Sequence, residues 1–180
     1  MSMRKRTIAM TTTLLLGAGA TGFAAAPAAN AAAPYHGIDG SGGVNDDWQD
    51  EEDLSVDDYA RSNATAVWET VLYADGAQWQ DDDGDWHPFR KNQVDGSFGP
   101  ETESATQWWQ DRHGLPGSDG VVNDDCWQSA QLRLHGLYPG GVVRYTGYAR
   151  TVTFKRVGVK YRVKLRGTGS WKNASYDTLG

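Results

Sequence analysis

The sequence predicts an α+β protein: a three-helix domain followed by a small antiparallel β-hairpin or meander. Three observations carry that reading. Residues 95–127 hold helix start and stop signals at nearly every place where they are needed. Beyond residue 142 the apolar residues recur with a period of two instead of a helical period. The charge changes at the same place: residues 34–141 hold 5 basic and 22 acidic side chains, whereas residues 142–180 hold 9 and 1. A split this sharp predicts two modules, 55–138 and 142–180.

Residues 1–33 read as an export signal. Arg4, Lys5 and Arg6 make a positive end, Ile8 to Ala26 is apolar with small residues, and Ala31-Ala32-Ala33 supplies a small-residue cleavage pattern. The expectation is a protein with no membrane span after signal removal, either extracellular or associated with the cell wall. Residues 34–54 are rich in Gly and Asp and poor in apolar side chains, which predicts an extended or poorly ordered acidic arm. Within it, Val44-Asn45-Asp46-Asp47-Trp48-Gln49 nearly repeats Val122-Asn123-Asp124-Asp125-Cys126-Trp127-Gln128. Two readings stay open: coincidence in an Asp-rich chain, or a half-repeat whose Trp48 packs on the helical core.

Residues 55–76 predict the first helix. Ser55 and Asp58 approximate a capping box, Ala60, Ala64, Val67, Trp68, Val71 and Leu72 form an apolar stripe, and Gly76 is the stop. Residues 77–94 read as a solvated acidic loop from which Trp79, Trp86 and Phe89 fold back onto the core. Asp81 to Asp85 raises calcium, but with Gly84 as the sixth position of an EF-hand loop, Trp79 and Arg90 fall at its first and twelfth. Neither supplies the carboxylate that a hard cation wants, so no metal is expected.

Asp95-Gly96 and Gly99 then mark a turn. Pro100 suits the first helical position, which needs no amide donor. Glu101 and Glu103 favour the helix dipole, and Phe98, Thr102, Ala105 and Trp109 share one face. Gly114 ends this second helix. Asp124 or Asp125 is the expected N-cap of a third helix over 125–136, with Trp127, Ala130 and Leu134 on one face and Gly136 as its end. Leu137 to Gly141 reads as the boundary between modules.

The residues Asp95, Gly96, Phe98, Gly99, Pro100, Thr102, Ala105, Trp109, Gln110, Gly114, Leu115, Asp119, Gly120, Val121, Val122 and Trp127 together form a pattern. It resembles the small helical peptidoglycan-binding domain of bacterial cell-wall hydrolases and secreted wall proteins. Val67 to Gly76 looks like the helix that precedes it there. Three positions depart from the family pattern: Asn123 stands for a Gly, Cys126 for a Thr and Glu69 for a Gln. The loop between Gly76 and Asp95 is also longer and more acidic than usual. The resemblance implies a non-catalytic binding module with peptidoglycan as partner, gripped in a shallow groove. Ligand contacts are expected at Asp95, Trp108, Arg112 and Asp119. Trp108 points about 100° away from the core residue Trp109, so it either stacks on a sugar or peptide or packs against another part of the chain.

In the last module, Val159, Tyr161, Val163 and Leu165 alternate with Lys160, Arg162, Lys164 and Arg166. That period predicts half-buried strands, with Gly158 as a hairpin turn and a further strand over Val142 to Tyr148. The four cations are a second candidate site, an electrostatic contact for an anionic wall polymer or lipid headgroups. Solvated polarity guarding a sheet edge, or docking on the acidic module, are the other readings. Nucleic acid is not an expected partner, given the export signal and the overall acidity. Cys126 is the only cysteine; it reads as a small buried residue at a helix start. No histidine pair has ligand spacing, no GxSxG is present, and no cofactor motif was found, so no enzyme and no cofactor are expected. The runner-up reading is a secreted regulatory protein that binds a protein partner through a degenerate wall-binding fold.

Overall fold

Helix α1, Asn63–Asp75, is the axis of the molecule, with 12 of its 13 residues buried. A helix buried on all sides packs against more than one layer. Here α2, Pro100–His113, lies against one side and an antiparallel sheet against another. The structure, a computed structural model, describes residues 34–167 and 169–180; the expected export signal at 1–33 lies outside the described residues. A short hairpin, β1 (Gln78–Gln80) and β2 (Trp86–Pro88), follows α1, and α3 (Asp124–Gln131) follows α2. The sheet is a five-stranded meander of β3 (Leu134–Tyr138), β4 (Val142–Thr146), β5 (Thr151–Val157), β6 (Lys160–Val163) and β7 (Lys172–Asn173), neighbouring in chain order. The architecture is α+β, with three helices and two antiparallel sheets.

The local signals around α2 act as their chemistry dictates. Gly99 precedes the helix in extended conformation, Pro100 takes the first turn, and Gly114 ends it at φ 66°, a left-handed angle that glycine adopts without penalty. Gly96 is required for a second reason besides its φ of 80°. A Cβ there would lie 2.3 Å from Leu179 Cδ1 and 2.7 Å from the Ser62 carbonyl oxygen, so the turn packs where no side chain fits. Gly158, at φ 63°, turns β5 into β6 as expected.

One core joins helices and sheet. Four buried tryptophans form an edge-to-face series: Trp109 to Trp68 at 4.8 Å, Trp68 to Trp127 at 5.5 Å, Trp127 to Trp48 at 5.7 Å. Trp48 continues it to Phe154 and Tyr161 of the sheet, at 5.5 and 5.6 Å. This geometry suits the ring quadrupoles.

Several expectations are therefore corrected. Residues 34–54 are not an extended arm. Ile38, Val44, Trp48 and Leu54 are buried, Ile38 exchanges backbone bonds with Ala174 and Tyr161, and Asp47 pairs with Arg156 inside the protein. Trp48 packs on the core, as the half-repeat reading required. Helix α1 starts at Asn63, not near residue 55. Ser55 Oγ accepts from the amides of Asp57 and Asp58 in a local turn, Tyr59 sits at φ 51°, and Ser62 is the cap, accepting from Thr65 N at 3.0 Å. Helix α3 starts one residue earlier than expected, capped by Asn123, and ends at Gln131. Leu134 to Tyr138 is already strand β3, so the expected boundary at Leu137–Gly141 lies inside the β3–β4 hairpin. Phe89 is buried, but Trp86 is 52% exposed.

Glu69, which stands where the resembling family has Gln, is buried beneath the Asp95-Gly96 turn. Its Oε2 accepts from the Asp95 and Gly96 amides at 2.8 and 2.7 Å, and its Oε1 from the Thr102 hydroxyl. Burial pushes this carboxyl well above its ordinary range, against the pull of those donors. A raised folded-state pKa means stability is present below the unfolded value and lost as pH rises through the folded value. Glu69→Gln is therefore expected to raise the melting temperature at neutral and alkaline pH, with the gain shrinking to nothing below the ordinary glutamate pKa. Thermal melts across pH check this; a gain independent of pH would refute it.

Candidate functional site

The first four candidate residues do not form one cluster. Asp95 and Asp119 build turns. Asp95 Oδ1 accepts from Ser97 N at 3.0 Å. Asp119 Oδ1 accepts from Val121 N at 3.0 Å and from Gln110 Nε2 at 3.1 Å. These are side-chain caps of tight loops. Gln110 is itself buried and also donates to the Val121 carbonyl, so the DG turn at 119–120 is tied to α2. Trp108 and Arg112 do come together. One helical turn apart, they place the Arg112 guanidinium 5.3 Å from the Trp108 ring and 5.4 Å from Tyr148. Arg133 lies 3.8 Å over the other reach of Tyr148. Trp108 is half-buried against the core, Arg112 is exposed, and Tyr148 is 54% exposed. Trp108, Arg112, Tyr148 and Arg133 form an aromatic and cationic shelf at the C-terminal half of α2. Tyr148 and Arg133 were missed in the sequence because they reach it from the β4–β5 turn and the end of α3.

The strand cations are also divided. Strand β6 ends at Val163, and Arg166 sits at φ 50° in a short 3-10 turn, so the expected row of four charges on one sheet face breaks. Lys160 lies 4.4 Å over Tyr35, and Arg162 donates to Asn173 at 3.0 Å. Lys164 lies 5.0 Å over Trp171. Arg166 is 3.6 Å from Asp95, which joins one member of each predicted set.

Lys164 and Arg166 instead face two adjoining surface troughs between α1, the 3-10 turn Lys91–Gln93 and the ends of β5 and β6. The first, about 390 Å³, is lined by Tyr73, Lys91, Arg150, Lys164 and Trp171 among others. The second, about 590 Å³, shares Tyr73, Lys91 and Arg150 and adds Arg90 and Arg166. No carboxylate lines either trough. Arg150 stacks 4.3 Å over Tyr73 and donates to its carbonyl. Sequence reasoning missed Arg90, Lys91 and Arg150 because the Arg90-Lys91 pair and Arg150 lie far apart in the chain and carry no periodic pattern.

The remaining chemistry is structural. His113 Nε2 is 4.0 Å from Asp75 Oδ2, with both side chains nearly or fully buried. That carboxylate is already taken up by Trp109 Nε1 at 2.6 Å, the Tyr145 hydroxyl at 2.8 Å and Tyr148 N at 2.9 Å. Burial lowers the His113 pKa, favouring the neutral ring. Burial also pushes the Cys126 thiol up to about 11, far from the range of a thiolate nucleophile at neutral pH. Asp81, in the acidic hairpin, accepts from the amides of Asp83 and Asp85 and contacts His87 at 2.7 Å. It organises a β-turn. Among the described residues no group of three or more His, Cys, Asp and Glu side chains is placed to hold a metal ion, and no helix is long and apolar enough to cross a membrane.

Residues 87–130 match the family model of a peptidoglycan binding domain. The matched stretch runs from β2 through α2 to the last turn of α3, and includes both DG turns, Trp108 and Arg112. No curated protein and no solved structure matches the chain.

Proposed function

We propose that this is a secreted, non-catalytic protein of the cell envelope that binds peptidoglycan through its helical half. The carrying observation is the match to a peptidoglycan binding domain over 87–130, within which the matched glycines and buried residues form the α2–loop–α3 unit. Turn and core positions account for the fold; the surface that remains for a ligand is the Trp108–Arg112–Tyr148 shelf. The Arg112 and Arg133 guanidiniums pair with stem-peptide carboxylates, and the exposed part of Tyr148 between them offers apolar surface to a sugar ring. The secreted and non-catalytic parts rest on the signal-like residues 1–33 and on the structural roles taken by His113, Cys126 and Asp75.

Co-sedimentation with purified peptidoglycan sacculi, stripped of attached polymers, tests the reading. The protein is expected to pellet with them. Arg112→Ala with Tyr148→Ala is expected to weaken retention about tenfold, equivalent to about 1.4 kcal/mol, while the variant keeps its melting profile. If the wild type stays in the supernatant at every sacculus concentration, wall binding fails and a protein partner becomes the better account.

A further inference from the structure

We propose that the two troughs beside α1 form a second binding site, for a linear polymer of phosphodiester-linked polyols. It does not rest on the peptidoglycan reading, and its lining residues are not those of the shelf.

The charge argument comes first. The full chain is acidic, at −6, yet five cations converge on these troughs with no lining carboxylate. They arrive from separate places: Arg90 and Lys91 from the turn after β2, Arg150 from the loop before β5, Lys164 and Arg166 from beyond β6. Like charges gathered this way repel one another, and the net negative charge of the chain opposes polyanions at long range. The troughs therefore concentrate an anionic ligand locally, with field lines focused by a concave surface. Only Arg166 has an acidic neighbour, Asp95 at 3.6 Å, and its side chain is 63% exposed.

Shape and presentation narrow the class. The troughs share three lining residues and run into each other, so the surface follows a chain rather than enclosing a single ion. One stem-peptide carboxylate would occupy one or two of the five cations; successive phosphates occupy them in sequence. Arginine forks match phosphate oxygens, and lysine supplies point charges between them. Thr151 and Thr153 add exposed hydroxyls along β5. Tyr73 and Trp171 carry Arg150 and Lys164 over their faces, which holds those two cations beside the troughs. The aromatic faces are already covered by these cations, which disfavours base stacking and hence single-stranded nucleic acid, whose binding depends on open aromatic platforms.

The test uses the full exported chain and a soluble poly(glycerol phosphate) of defined length, followed by calorimetry over a salt series. Binding is expected, weakening linearly in a plot of log affinity against log salt because phosphate contacts release counterions. Lys91→Glu and Lys164→Glu are each expected to weaken it at least tenfold, whereas Lys160→Glu, at the start of β6 and outside both troughs, changes it less than twofold. Thermal melts confirm that each variant is folded. Retention on stripped sacculi is expected to be unchanged in the Lys91 and Lys164 variants, which separates this site from the shelf. No binding, or equal weakening by Lys160→Glu, overturns the proposal. So does a single-stranded oligonucleotide that binds these troughs as tightly as the polyol phosphate.

Discussion

Arg156→Met is expected to destabilise the protein by about 3–5 kcal/mol, the usual cost of stranding one partner of a buried ion pair. For a chain of this size that is a fall in melting temperature of about 10–15 °C. Arg156 Nη1 donates to both oxygens of Asp47, at 2.9 and 2.6 Å, and Nη2 donates to the Gly42 carbonyl at 2.8 Å. The Tyr161 hydroxyl adds a third donor to Asp47 at 2.5 Å. Side-chain exposure is 5% for Arg156 and 0% for Asp47, so water cannot replace the lost partner. The double variant Arg156→Met, Asp47→Asn is expected to recover part of the loss, because the penalty comes from the unpaired charge more than from the missing attraction. Denaturant titration of the three proteins decides it. A single variant within about 1 kcal/mol of wild type would show that the pair is not a structural tie.

Asp75→Ala is the second large effect, again about 3–5 kcal/mol. The carboxylate at the end of α1 accepts from the Trp109 indole of α2, the Tyr145 hydroxyl of β4 and the backbone of Tyr148. Removal leaves three buried donors without an acceptor, at about 1–3 kcal/mol each before relaxation. Asp75→Asn retains one acceptor oxygen and is expected to cost about half as much. Tyr145→Phe, which removes one donor, is expected to cost about 1 kcal/mol. Chemical denaturation followed by tryptophan fluorescence gives these values. The order Ala, then Asn, then Phe is the content of the prediction, and a Phe variant worse than the Ala variant would refute it.

What could be read from the sequence was local. Pro100, Gly114 and Gly158 each act within a few residues of their own position, and each does what its backbone chemistry predicts. The acidic arm was misread because composition scores neighbours along the chain. Trp48 needs Trp127, Phe154 and Tyr161, and Asp47 needs Arg156, 109 residues away. The end of α3 was misread because Ala130 and Leu134 fit a helical face equally well, while the strand they lead into is defined by pairing with Tyr145. For the candidate sites, Trp108 and Arg112 were legible because helix geometry brings them together. The alternation of Lys160, Arg162, Lys164 and Arg166 was real in sequence but meaningful only as far as Val163, where the strand stops. The troughs were invisible because their cations meet only after α1, the Lys91 turn and the ends of β5 and β6 have been assembled.

The pairing of residues 36–40 with the last strands has a consequence for when the protein becomes native. Ile38 bonds to Ala174 and Tyr161, Gly40 to Val159, and His36 to Tyr176. Residues 36–40 are thus held by residues 159–176, and contacts of such long sequence separation slow folding because loop-closure entropy is lost before they form. In a chain emerging in order, Ile38 and Asp47 have no partner until β5 to β7 exist, although Trp48 already has Trp127, so the sheet side of the core closes last.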